Sequence, residues 1–159
     1  MSERTLFLIG IACAAASMPL DDALAQSVRS VTLSGGAVSF LAETLDIDGK
    51  ALARHRSDAY LANIDLDGDG RREHAVQLLS PLTCSNGTIV CAWVVYQGPP
   101  GRRAVLSTAA HNFRALPERT NGWRDLLFES RGRGGVIADT YAYDGDAYRL
   151  RDSTTLIAQ

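Results

Sequence analysis

Residues 65–73, DLDGDGRRE, constrain the folding of this chain more than any other segment. Three carboxylates occupy alternate positions, and a fourth follows Gly70 by three residues. A glycine permits the sharp reversal that lets alternate side chains converge, and Ca²⁺ takes about six to eight oxygen ligands. The spacing therefore predicts a calcium-binding loop, in which the side chains of Asp65, Asp67, Asp69 and Glu73 and the backbone carbonyl of Arg71 supply the oxygens.

The loop does not fit an EF-hand, which needs a bidentate carboxylate at position twelve and a helix on each side. Counted from Asp65, position twelve is Val76, and the run from His74 to Leu79 favours a strand. Two alternatives to a structural calcium ion stay open. The loop is either an empty, solvated acidic turn or the holder of a catalytic ion in a secreted metal-dependent hydrolase.

The N-terminal residues have the pattern of a secretory signal peptide. An apolar run, residues 6–16, is shorter than a membrane-spanning helix needs, and the small-residue site Ala23-Leu24-Ala25 follows it. Cleavage after Ala25 leaves a mature chain of residues 26–159, which we interpret as a single β-rich domain in the periplasm or outside the cell. Cys13, preceded by Gly-Ile-Ala, leaves open a lipoprotein cleavage site.

The whole chain has 16 basic and 18 acidic residues. Residues 1–25 contain one basic and three acidic residues, so 15 of each remain after cleavage. A neutral chain does not favour binding to nucleic acid or to anionic membranes, because both depend on a basic field. The expected partner is an unknown protein or a component of the cell envelope, and we expect no membrane span in the mature chain.

Cys84 and Cys91 are an even pair in the exported chain, so a disulfide is predicted between them. Asn86-Gly87 lies between the two cysteines and is a hairpin-turn signal. A redox-active pair or a metal site is the alternative, but the spacing is not C-x-x-C and no second ligand pair accompanies it.

The remaining pattern predicts a mainly β protein (β-rich α+β), an antiparallel meander of about seven to nine strands with a short N-terminal helix. The helical segment lies between Val38 and Arg56, and the turn signal Asp48-Gly49 could split it in two. A final hairpin turns at Asp144-Gly145. Before that hairpin, the predicted strands cover residues 28–34, 60–64, 74–79, 89–96, 104–109, 123–130 and 136–143.

No recognised catalytic constellation is present in the sequence. His55, His74 and His111 are scattered, and alternation along a strand puts His74 on the opposite face from Glu73. Asp125 and Glu129 could act as a carboxylate pair for glycoside chemistry only if they faced one cleft, which the sequence does not show.

Two further features have structural interpretations. The run from Arg131 to Gly135 is read as a turn, with an anion site as the alternative. Large aromatic side chains are assigned to packing, because they supply much of the buried area in a small β domain. They are Trp93, Tyr96, Phe113, Trp123 and Phe128.

The acidic loop resembles the calcium loops of FG-GAP and VCBS-type β modules, in which D-x-D-x-D-G-x-x-D joins two strands. Glu73 stands where that pattern has Asp, and the similarity covers about residues 60–79. A wider resemblance, over about residues 60–148, is to small exported bacterial domains of uncharacterised function. These domains combine one such loop, a cysteine hairpin, a T-x-G-W-x-D-L segment (here 120–126) and a terminal Y-D-G-x-x-Y hairpin (here 143–148).

The resemblance implies an exported β-rich domain and no established activity. Our leading hypothesis from the sequence is a non-catalytic binding or accessory domain with a structural Ca²⁺ and a hairpin disulfide. The metal-dependent hydrolase is the second hypothesis.

Overall fold

The chain forms two antiparallel sheets, and each sheet is a meander in which neighbouring strands follow one another along the sequence. The computed structural model describes residues 28–56, 58–85, 90–98, 102–132 and 134–157. Within these ranges there are nine strands and two helices, which confirms the predicted β-rich meander with a short N-terminal helix.

The first sheet has the strand order β1-β2-β3-β4-β5, and the second has the order β6-β7-β8-β9. The strands of the first sheet are β1 Arg29–Val31, β2 Ala59–Ile64, β3 Glu73–Leu78, β4 Cys91–Gln97 and β5 Arg103–Ala110. Those of the second are β6 Asn112–Thr120, β7 Trp123–Gly132, β8 Gly135–Tyr143 and β9 Tyr148–Leu156.

The helical segment is split, as the Asp48-Gly49 signal indicated, into α1 Gly35–Leu45 and α2 Gly49–Ala53. Asp48 is the N-cap of α2, because its Oδ1 accepts a hydrogen bond from the backbone N–H of Lys50 at 2.8 Å. Neither helix, within the described ranges, has the length and apolarity required to cross a membrane.

The first sheet is covered on both faces, which explains the continuous apolar run of β4. Val94 and Tyr96 pack with the helices, and the Tyr96 ring centroid lies 5.0 Å from that of Phe40. Trp93 and Val95 belong to the other cluster, between the two sheets. A central strand with two covered faces loses the alternation of polar and apolar residues that a half-exposed strand shows.

Aromatic side chains fill the space between the sheets, as predicted for the large aromatics. The Trp93 ring lies 5.3 Å from Phe113 and 6.1 Å from Phe128, and Trp123 stacks on Tyr143 at 4.3 Å. Tyr96 differs from the rest of that set, because it lies on the helix side of the sheet.

Cys84 and Cys91 form the predicted disulfide, with Cα atoms 4.0 Å apart, at the connection between β3 and β4. The predicted Asn86-Gly87 turn lies outside the described residues, as does the predicted signal peptide. Because the acidic segment connects β2 to β3, the disulfide and that segment stand at opposite ends of β3.

Strand β6 was not predicted from the sequence. Only Ala115 of this strand is fully buried, its pairing with β7 is irregular between Ala115 and Arg119, and Pro117 lies in that interval. An exposed edge strand with a proline lacks the alternating pattern by which strands are recognised.

A single residue, His111, separates β5 in the first sheet from β6 in the second. The buried Gln77 of β3 supports this corner, since its Nε2 donates to the carbonyl oxygens of Ala110 at 3.1 Å and His111 at 3.2 Å. Two carbonyl oxygens at the corner therefore accept from a side chain of β3, which is two strands away from β5 in the sheet.

We expect Gln77→Met to lower the free energy of unfolding by about 1–3 kcal/mol, because both corner carbonyls lose their side-chain donor. Urea unfolding monitored by circular dichroism measures this change. The matched control is Gln97→Met in β4, for which we expect a change within about 0.5 kcal/mol. If the two substitutions lowered the free energy of unfolding equally, the hydrogen bonds from Gln77 to the corner would not contribute to stability as expected.

Candidate metal centre

The acidic loop joins β2 to β3, and the pairing of Ile64 with Glu73 closes it at its base. Gly68 and Gly70 have φ values of +82° and +84°, in the left-handed region that glycine adopts without strain. Gly70 therefore provides the reversal that the sequence predicted, and Gly68 provides a second one.

Hydrogen bonds within the loop fix the orientation of its aspartates. The two carboxylate oxygens of Asp65 accept from the N–H groups of Gly68 at 2.7 Å and Gly70 at 3.0 Å. Asp67 accepts from the N–H of Asp69 at 3.0 Å, and Asp69 accepts from that of Arg71 at 2.7 Å. Side-chain to backbone bonds of this kind hold a turn in place without any help from a cation.

Three of the five predicted ligand residues converge. Asp65, Asp67 and Glu73 each offer a carboxylate oxygen, and these oxygens lie within 4.8 Å of one another. Asp69 is outside this group, and Arg71 is an exposed loop residue whose N–H is bound to Asp69. Oxygens on opposite sides of a calcium ion are about 4.6–5.2 Å apart, so the observed spacing fits one coordination sphere.

Glu73 is the buried member of the group, with 5% of its surface exposed. It begins β3 and points between the sheets, on the opposite face from His74, whose Nδ1 lies 2.6 Å from Asn63 Oδ1. Burial raises the pKa of Glu73 to about 7, and the neighbouring charges of Asp67 and Asp69 add to the increase. Burial also raises the pKa of Asp67, as do Asp69 and Asp65.

No lysine or arginine among the described residues forms an ion pair with Asp65, Asp67 or Glu73. The guanidinium group of Arg119 lies beside the loop, but its Nη1 donates to the carbonyl oxygens of Leu66 at 3.0 Å and Gly122 at 2.8 Å. The converging carboxylates thus have no side-chain counterion within the described ranges, and a hard cation fits this all-oxygen donor set.

Leu66 connects the loop to both sheets. Its N–H donates to Glu73 Oε2 at 2.8 Å, and its carbonyl oxygen accepts from the backbone N–H of Arg124 in β7 at 2.8 Å. Its side chain is 1% exposed and belongs to the core between the sheets. Sequence reasoning missed this residue, although an apolar side chain between two loop aspartates was a signal that the loop has a buried side.

The other residues considered for chemistry do not assemble into a site. Asp125 has no exposed surface and binds Arg151, so it does not form a substrate cleft with Glu129. The three histidines have separate partners. They are Asp58 for His55, Asn63 for His74, and the N–H of Arg131 for His111.

The run read as a turn, residues 131–135, is the connection between two strands. Arg131 and Gly132 end β7, and Gly135 begins β8. Arg133, which was part of the alternative anion site, lies outside the described residues.

No protein-family model matches this sequence, and the comparisons with curated proteins and with solved structures give no significant match.

The raised pKa of Glu73 predicts a pH dependence in calcium-free buffer. A carboxyl group with a raised pKa stabilises the fold fully below its unfolded pKa, here 4.5, and this contribution is lost as the pH rises through about 7. We expect Glu73→Gln to remove that loss, which is on the order of 1–2 kcal/mol after allowance for solvent screening.

The measured quantity is the difference in unfolding free energy between parent and Glu73→Gln from pH 4.5 to pH 7. His74, whose pKa is lowered by burial, gives a slope of the opposite sign, but it is present in both proteins and cancels. A difference that stays constant with pH would contradict the assignment.

Proposed function

We propose that this is an exported, non-catalytic binding or accessory domain in which the loop of residues 65–73 holds a structural Ca²⁺. The observation that carries the proposal is the convergence of three carboxylates, one of them buried, with no side-chain counterion in the part of the chain that the structure describes. An ion there would neutralise the loop and hold β2, β3 and the second sheet together through Leu66.

Asp65, Asp67 and Glu73 are the ligands that the geometry supports first. In the loop pattern that the sequence resembles, Asp69 and the Arg71 carbonyl would supply the remaining oxygen ligands that come from the protein. Oxygen donors favour calcium or magnesium over zinc and copper, which prefer nitrogen and sulfur. Calcium suits a loop with several carboxylates better than magnesium, because Mg²⁺ demands near-ideal octahedral geometry and usually keeps several waters.

The hydrolase alternative receives less support. A catalytic ion needs an open coordination position beside a substrate cleft. Three cavities among the described residues are lined by residues of the helices, of β2, β3 and β4 with the start of β6, and of the β7–β8 end, and none of these lining residues belongs to the acidic loop. The side chain of Leu66 is buried, so the inner side of the loop faces the core and not a substrate cleft.

Export is supported by the disulfide between Cys84 and Cys91, because such bonds persist in oxidising compartments. We propose a periplasmic or secreted location, in agreement with the signal peptide predicted for residues 1–25. The partner that we propose is a protein or another component of the cell envelope.

Calorimetric titration of the mature chain, residues 26–159, tests calcium binding. We expect saturable binding of Ca²⁺ and a weaker response to Mg²⁺. At a free calcium concentration one hundred times the dissociation constant, ligand binding should stabilise the fold by about 2.7 kcal/mol. Asp67→Asn, which keeps the side-chain shape but removes the charge, should abolish the calcium-dependent shift in melting temperature.

Two controls separate lost ligation from lost stability. Asp152→Asn changes an exposed aspartate of β9 and should keep the calcium response. The double variant Cys84→Ala/Cys91→Ala should lower the stability by about 2.5 kcal/mol and leave calcium affinity unchanged, since the disulfide lies at the other end of β3. If calcium does not shift the melting temperature of the parent protein, the proposed function is wrong.

A further inference from the structure

A second candidate site lies at the open edge between the two sheets, on the side of β1 and β6. It is a cavity of about 340 Å³, which falls within the range of about 300–1,000 Å³ that is usual for small-ligand sites. Its lining residues are Val28, Tyr60, Gln77, Trp93, His111, Asn112 and Phe113.

The cavity exists because the second sheet does not cover the whole inner face of the first. Tyr60, Gln77 and Trp93 are paired across β2, β3 and β4, so their side chains lie on one face. Trp93 is covered by Phe113 and Phe128 of the second sheet. Tyr60 remains 38% exposed, which leaves an aromatic ring beside the opening.

Trp93 forms the inner wall of the cavity. The side chain is 2% exposed, and its buried indole Nε1 has no hydrogen-bond acceptor among the described residues. A buried N–H group without an acceptor is costly, and a ligand in the cavity would change the surroundings of this indole. The calcium site does not involve this group, so the inference does not depend on metal binding.

Neighbouring polar groups extend the hydrogen-bonding capacity of the cavity. The Nε2 of Gln77 is used by the corner carbonyls, which leaves its Oε1 as an acceptor. The Nδ1 of His111 accepts from the Arg131 N–H at 3.3 Å, so a neutral ring carries its proton on Nε2 and can donate. Asn112 adds an amide that can both donate and accept.

The chemistry of the lining selects the class of ligand. None of the seven lining residues is an aspartate, glutamate, lysine or arginine, so the cavity offers nothing to balance a charged ligand. Aromatic rings together with amide and imidazole groups match a neutral ring that has an apolar face and hydroxyl groups. We propose that this cavity binds a neutral saccharide ring, with Tyr60 packing against its apolar face and the side chains of Asn112 and His111 forming hydrogen bonds with its hydroxyl groups.

Nuclear magnetic resonance of the ¹⁵N-labelled protein tests this proposal, because the chain has only two tryptophans, Trp93 and Trp123, and therefore two indole N–H signals. The probes are glucose and N-acetylglucosamine, and Trp93→Phe assigns the signals. We expect saturable movement of the Trp93 signal with a dissociation constant on the order of 1 mM, while the Trp123 signal stays in place.

Variants locate the binding. Tyr60→Ala and Asn112→Ala should each weaken saccharide binding about tenfold, and Leu82→Ala, at an exposed residue outside the cavity, should not change it. Phenol is titrated in parallel as a neutral aromatic probe. Movement of the Trp93 signal with phenol but with neither saccharide would overturn the proposal, as would equal, non-saturating movement of both indole signals or no movement at all.

Discussion

The hydrogen bond from the Leu66 N–H to the buried carboxylate of Glu73 is the contact on which the rest of the arrangement depends. It fixes the loop from inside, and the Leu66 carbonyl then reaches the Arg124 N–H at the start of β7. The loop is thus a connection between β2 and β3 and also a link between the two sheets. A buried acceptor at Glu73 satisfies an N–H group that the fold has removed from water.

That arrangement creates an electrostatic problem that the described residues do not solve by themselves. The Glu73 carboxylate lies between the sheets and near Asp67 and Asp69, and its raised pKa expresses the cost of ionising it there. A divalent ion beside these carboxylates would instead favour the ionised form of Glu73. With the Cys84–Cys91 disulfide at the far end of β3, the strand would then be fastened at both ends, by a covalent bond and by ligation.

Local chemistry in the sequence predicted much of this fold. Glycine, aspartate and cysteine spacing identified the acidic loop, the disulfide and the Asp48-Gly49 split between the helices, because these features depend on neighbouring residues. The division into two sheets could not be predicted from neighbouring residues, because the chain passes from the first sheet to the second over a single residue, His111. The edge strand β6 was missed because its side chains are mostly exposed. Spacing also could not show that Asp69 stands apart from the other carboxylates or that Leu66 is buried.

Hydrogen exchange of the Leu66 and Arg124 amides, followed by nuclear magnetic resonance with and without calcium, tests the central claim most directly. The Leu66 amide donates to the Glu73 carboxylate inside the loop, and the Arg124 amide of β7 donates to the Leu66 carbonyl oxygen. The account predicts that calcium slows the exchange of both amides at neutral pH, and that Asp67→Asn removes this effect. Equal exchange rates with calcium and with a chelator would contradict the claim that an ion secures the loop between the sheets.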